Sequence, residues 1–157
     1  MEKHPICISR TIKFSEKLLG IPCVKSFERP TSTHPFYASN KKIDLEYVKK
    51  HGLCDVGLFN ILRRFNKLPI PGSGKRDFYP EGGMESWIFV FKKSLRKFYS
   101  NKNYPLGTLL FGRNKLAMIV KKNMILHCCD KKGLVVKDKL DHDFLMVCFP
   151  KNWILLE

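Results

Sequence analysis

From Gly107 onward the sequence is cut into short apolar runs by tight-turn signals, and that spacing leaves few folds open. The runs are 108–111, 116–120, 124–129, 134–137, 144–149 and 153–156. The breaks are Gly112-Arg113-Asn114, Lys121-Lys122-Asn123 and Asp130-Lys131-Lys132-Gly133, all made of residues that turn a chain. Strands joined by so few residues run antiparallel, because a parallel pair needs a crossover of about a dozen residues or more. The last third is therefore expected to be an antiparallel β-meander.

Upstream the apolar period is helical. Ser9 or Thr11 can cap a short helix carrying Ile12, Phe14, Leu18 and Leu19, with Gly20 and Pro22 ending it. Asp44 can cap a second helix that runs to Lys50 and closes at Gly52. In a third, Leu58, Ile61, Leu62 and Phe65 form one apolar stripe, with Cys54 and Asp55 at its first turn. Leu68-Pro69-Ile70-Pro71-Gly72 stops it. A fourth is expected to carry Met84, Trp87 or Ile88, Phe91, Leu95 and Phe98. Helices followed by an antiparallel sheet make an α+β domain, and 157 residues suit a single domain spanning 1–157. Residues 27–42 and 72–83 are rich in Pro, Gly, Ser and Thr and are expected to be loops that serve as contact surfaces.

Charge narrows the partners. The 29 lysines and arginines against 14 acids leave a net charge of +15. Such a surface is drawn to nucleic acid, anionic lipid or acidic protein faces. The cations are scattered in pairs such as Lys41-Lys42, Lys92-Lys93 and Lys131-Lys132, and lysine outnumbers arginine, which weighs against specific base readout. No apolar run approaches the ~20 residues of a membrane-spanning helix, and the opening Met1–Ile6 segment lacks the pattern of a secretory leader. The cysteines Cys7, Cys23, Cys54, Cys128, Cys129 and Cys148 form no CxxC pair, so no metal site is expected. Reduced thiols in a cytosol-like compartment are expected, most of them buried as small apolar groups. Cys128 and Cys129, adjacent on a strand, point to opposite faces.

The order of motifs resembles the NlpC-type papain-like cysteine peptidases, across about residues 12–140. Lys17-Leu18-Leu19-Gly20-Ile21-Pro22 is similar to the end of that family's first helix. Gly52-Leu53-Cys54-Asp55-Val56-Gly57-Leu58-Phe59 is similar to its nucleophile helix, and Leu68-Pro69-Ile70-Pro71 to the stretch that follows. Pro105-Leu106-Gly107-Thr108-Leu109-Leu110-Phe111 resembles its entry strand. Leu116-Ala117-Met118-Ile119-Val120 and Met124-Ile125-Leu126-His127 resemble the strand pair that carries the base histidine and a third, orienting polar residue. The resemblance implies a papain-like fold in which a thiolate at a helix N-terminus works with an imidazole on the neighbouring strand.

Two positions depart from that pattern. Aligning Gly57 and Leu58 puts Asp55 at the nucleophile and Cys54 one residue early, and one residue on a helix turns a side chain by about 100°. Leu116 falls where the base should stand, while His127 matches the orienting position. No catalytic residue is carried over. Were the chain active, Cys54 and His127 are the residues to carry it, with His34, His51 and His142 as other imidazoles.

The expected function is therefore a catalytically inactive peptidase-like domain with a structural or assembly role. Leu58-Phe59-Asn60-Ile61-Leu62-Arg63-Arg64 and Leu68-Pro69-Ile70-Pro71-Gly72 resemble stand-alone domains of large DNA viruses. That implies a minor capsid protein or other virion component, located in virions or host cytoplasm. Its partners would be larger subunits with acidic faces, with anionic membrane or genome contact, and no cofactor. The alternatives are an active cysteine hydrolase using Cys54 and a basic nucleic-acid-binding protein.

Overall fold

The computed structural model describes residues 4–24, 43–71, 84–113 and 115–154. Within them the helices are α1 (His4–Ser15), α2 (Leu45–His51), α3 (Asp55–Phe65), α4 (Met84–Phe91) and the short α5 (Pro150–Trp153). The strands are β1 (Arg96–Lys97), β2 (Leu109–Gly112), β3 (Lys115–Lys121), β4 (Met124–Cys129), β5 (Leu134–Lys139) and β6 (Met146–Cys148). They form one sheet in the order β1-β6-β2-β3-β4-β5, with each neighbouring pair antiparallel. The α+β class is as expected.

The sheet buries both faces. On one, Leu116, Met118 and Leu126 pack with Leu58, Phe59 and Leu62 of α3 and with Trp87 and Trp153. On the other, Leu110, Ala117, Ile119, Ile125 and Val147 lie beneath Phe98 and Phe144. Alternation along each strand is what divides the residues between the two clusters. The polar edges of the helical core are satisfied from within it. Trp87 Nε1 donates to Asn60 Oδ1 at 2.9 Å, and Trp153 Nε1 donates to the Gly107 carbonyl at 2.7 Å. Arg63 donates to the carbonyls of Pro69 and Trp153, tying the end of α3 to α5, and its burial pulls the guanidinium pKa down to about 10.

The segment after α1 laces the domain together. Gly20 N–H donates to the Val135 carbonyl and Cys23 N–H to the Gly133 carbonyl, while Val24 N–H and the Leu53 carbonyl join it to the residues before α3. Gly52 closes α2 at φ +84°, and a Cβ there would stand 2.7 Å from the Pro22 carbonyl oxygen. Both the backbone angle and the close approach of two chains therefore require glycine. Asp44 caps α2 by accepting from the Tyr47 N–H at 3.1 Å, as its position in the sequence suggests.

Four expectations need correction. The first helix starts at His4, ahead of the Ser9 or Thr11 cap. The fourth helix stops at Phe91; a 3₁₀ turn (Lys92–Ser94) follows, and Arg96–Lys97 pair with β6 as an edge strand. The apolar spacing was misleading there because Leu95 packs with the helical core and Phe98 with the opposite cluster. Trp153 and Ile154, the described part of the run at 153–156, are not in a strand: Pro150 starts a helical turn that drives Trp153 into the core. The meander holds from β2 to β5 only, since β6 returns to pair with β2. The loops expected at 27–42 and 72–83 lie outside the described residues. Among the described residues no helix is long and apolar enough to cross a membrane.

The uniformly reduced thiols are corrected too. Cys23 and Cys128 form a disulfide across 105 residues of sequence, joining the lacing segment to β4, while Cys7, Cys54, Cys129 and Cys148 are free. The chain folds these two sulfurs together because Cys23 is held by backbone bonds to both the β5 end and Leu53. Denatured, unreduced protein should titrate four thiols with a disulfide-exchange reagent, and six after reduction. Closing a loop of this length restricts the unfolded chain, so Cys23→Ser with Cys128→Ser should lower unfolding free energy by about 4 kcal/mol in denaturant titration.

Candidate functional site

Cys54 is the residue the helix N-terminus offers. It is the N-cap of α3, in an extended conformation, and its Sγ accepts from the Gly57 N–H at 3.3 Å. It is also 1% exposed. Burial, reinforced by the neighbouring Asp55 carboxylate, raises the thiol to about 12, outweighing the backbone N–H groups that favour a thiolate. At neutral pH it is a protonated cap rather than a nucleophile. Asp55, at the first helical position, has its own carboxylate near the Val56 N–H at 3.2 Å, yet burial raises it to about 6.

Leu116 lies on the same face of the sheet as Cys54, 1% exposed, in the core shared with α3. Its side chain is hydrocarbon and brings no base to that core. His127 does not reach that side. It pairs in register with Ala117, a member of the opposite cluster, and residues directly across a ladder share a face. Next to His127, β4 sends Cys128 toward α3, and its Sγ lies 3.3 Å from the Leu53 carbonyl oxygen. A bridged sulfur carries no proton, so this is a contact and not a hydrogen bond. The structure thus separates Cys54 and His127 by the thickness of the sheet. His51 is exposed at the end of α2, its ring stacked on Tyr47, and His142 is exposed between β5 and β6. His34 lies outside the described residues.

On its own face His127 belongs to a different group. Asp138 of β5 sits diagonally across the ladder, and its Oδ2 is 3.0 Å from His127 Nε2. The carboxylate accepts only, so the Nε2 carries the proton. Lys132 Nζ reaches the other oxygen at 3.2 Å. The hydrogen bond from His127, and then Lys132, hold the Asp138 carboxyl below its usual range. Cys129, two residues after His127 on β4, projects to this same face and lies beside both. Of these three, only His127 is a site residue expected from the sequence. Alternation marks Cys129 as its same-face neighbour, but Asp138 is brought to them only by the register of β4 on β5.

No family model, curated protein or solved structure matches this chain. What fold and site define is an α+β domain with a sealed thiol at a helix N-terminus and a His–Cys–Asp group on the far face of its sheet.

Two outcomes follow. In native protein at pH 8, iodoacetamide followed by peptide mass mapping should leave Cys54 unmodified, since both access and thiolate are lacking. Asp55 has a folded pKa above its ordinary value of 3.8, so its contribution favours folding below that value and is lost as pH rises through about 6. Asp55→Asn should therefore gain stability relative to wild type between pH 4 and 7, on the order of 2 kcal/mol in denaturant titrations at each pH.

Proposed function

We propose that this chain is a catalytically inactive peptidase-like domain of NlpC type that serves as an assembly protein, a minor capsid or other virion component. One observation carries the loss of chemistry. The helix N-terminus where a nucleophile would act holds a buried, protonated Cys54 and a carboxyl at Asp55, with Leu116 packed in the place of a base. The helix-on-sheet arrangement, with α3 against β3 and β4, supports kinship with the papain-like scaffold. Resemblance of the α3 segment to stand-alone domains of large DNA viruses supports the virion role. The net charge of +15 suits larger subunits with acidic faces, or anionic membrane and genome surfaces. No cofactor enters this function.

A basic nucleic-acid binder is the second reading, favoured by one surface feature. Tyr99 is 44% exposed, and Lys97 and Lys102 stand 5.6 and 5.0 Å from its ring centroid. Such a ring flanked by cations can stack on a base.

Purified protein should hydrolyse peptidoglycan stem peptides no faster than its Cys54→Ala variant. Thiol-dependent turnover lost in that variant would restore the active hydrolase. Affinity for single-stranded nucleic acid that falls steeply with salt, and drops on Tyr99→Ala, would favour the second reading instead.

A further inference from the structure

We propose that His127, Cys129 and Asp138 form a binding site for a divalent transition-metal ion, zinc foremost, on the sheet face opposite α3. A ring nitrogen of His127, the sulfur of Cys129 and a carboxylate oxygen of Asp138 all lie within 4.8 Å of one another. These donors are an imidazole, a thiol and a carboxylate, the three ligand types zinc takes. Tetrahedral zinc, with bonds of about 2.0–2.3 Å, spaces its ligand atoms roughly 3.3–3.6 Å apart. The His127 Nε2 to Asp138 Oδ2 separation of 3.0 Å is already near that spacing. Drawing in the sulfur requires a movement of about 1 Å, which a cysteine rotation supplies.

The scaffold suits a fixed site. His127 and Cys129 are two apart on β4, and Asp138 stands on β5, so two hydrogen-bonded strands hold all three side chains on one face. Cys129 is buried at 9% exposure, while the His127 and Asp138 side chains keep 17% and 33%. The open side of the group therefore faces outward, which leaves a fourth position for water or a side chain of a bound partner. Lys132 is the group that opposes a cation, 3.2 Å from Asp138 Oδ1. It uses the oxygen that His127 does not, and its side chain is 56% exposed, so it can swing into solvent when metal arrives. Binding releases the Cys129 proton to solvent as the sulfur becomes a thiolate ligand, while the His127 ring keeps one proton, moved from Nε2 to Nδ1, so that Nε2 can ligate. The spacing explains why the sequence conceals the site: His-x-Cys on a strand lacks the CxxC pattern, and the third donor is nine residues further on.

Cobalt(II) titration tests this, with the Cys23–Cys128 bridge left intact so that its sulfurs do not compete. One equivalent of cobalt should produce the thiolate-to-metal charge-transfer band and tetrahedral d–d bands, and zinc should displace it. Cys129→Ala should abolish the charge-transfer band. Asp138→Asn and His127→Ala should each weaken binding by more than about tenfold. Cys54→Ala should leave the cobalt bands and their titration unchanged. Circular dichroism of each variant shows that it has folded, and zinc should raise the melting temperature of wild type but not of Cys129→Ala. Absence of the bands in folded wild type, or their persistence in folded Cys129→Ala, overturns the proposal. These readouts are independent of the assembly role, so either can fail alone.

Discussion

Strand β4 is hydrogen-bonded on both edges, to β3 and to β5, and this double pairing decides where each of its side chains goes. A strand held on both edges cannot rotate to bring a chosen residue to a chosen face, because a one-residue slip would turn every side chain over. Leu126 and Cys128 therefore face α3, and Ile125, His127 and Cys129 face away. From that single constraint come the disulfide on the helical side, the His127–Asp138 pair on the other, and the separation of Cys54 from His127.

At the N-terminus of α3 two opposing effects meet. Backbone N–H groups and the helix dipole favour a thiolate at Cys54, as they do at active cysteines. Removal from water disfavours it, and the neighbouring Asp55 carboxylate adds to that. With the residue 1% exposed, desolvation dominates. The same geometry that elsewhere activates a thiol here makes a buried cap. Arg63, at the other end of α3, shows a related balance: a buried guanidinium is satisfied by donating to two carbonyls.

Much of the fold was legible from local signals. The α2 cap at Asp44, the glycine stop at Gly52, the apolar stripe of α3 and the hairpins from β2 to β5 each follow from residues close in sequence. The errors arose where a local pattern served two distant surfaces. Phe91, Leu95 and Phe98 share a helical spacing, yet they divide between the two clusters that sandwich the sheet. Trp153 falls in a run with strand spacing, but Pro150 and the ring contacts with Phe59 and Trp87 make it a helical anchor.

By itself the sequence determined the class of structure, the polarity of the hairpins, the positive surface and the place of Cys54 and Asp55 at the first turn of α3. Those properties depend on residue type and near-neighbour spacing. Tertiary structure alone decided the partnerships: Cys23 with Cys128, Asp138 with His127 and Cys129, and β6 with β2. Each joins segments whose meeting depends on strand register and chain return, and none is written in the period of any one segment.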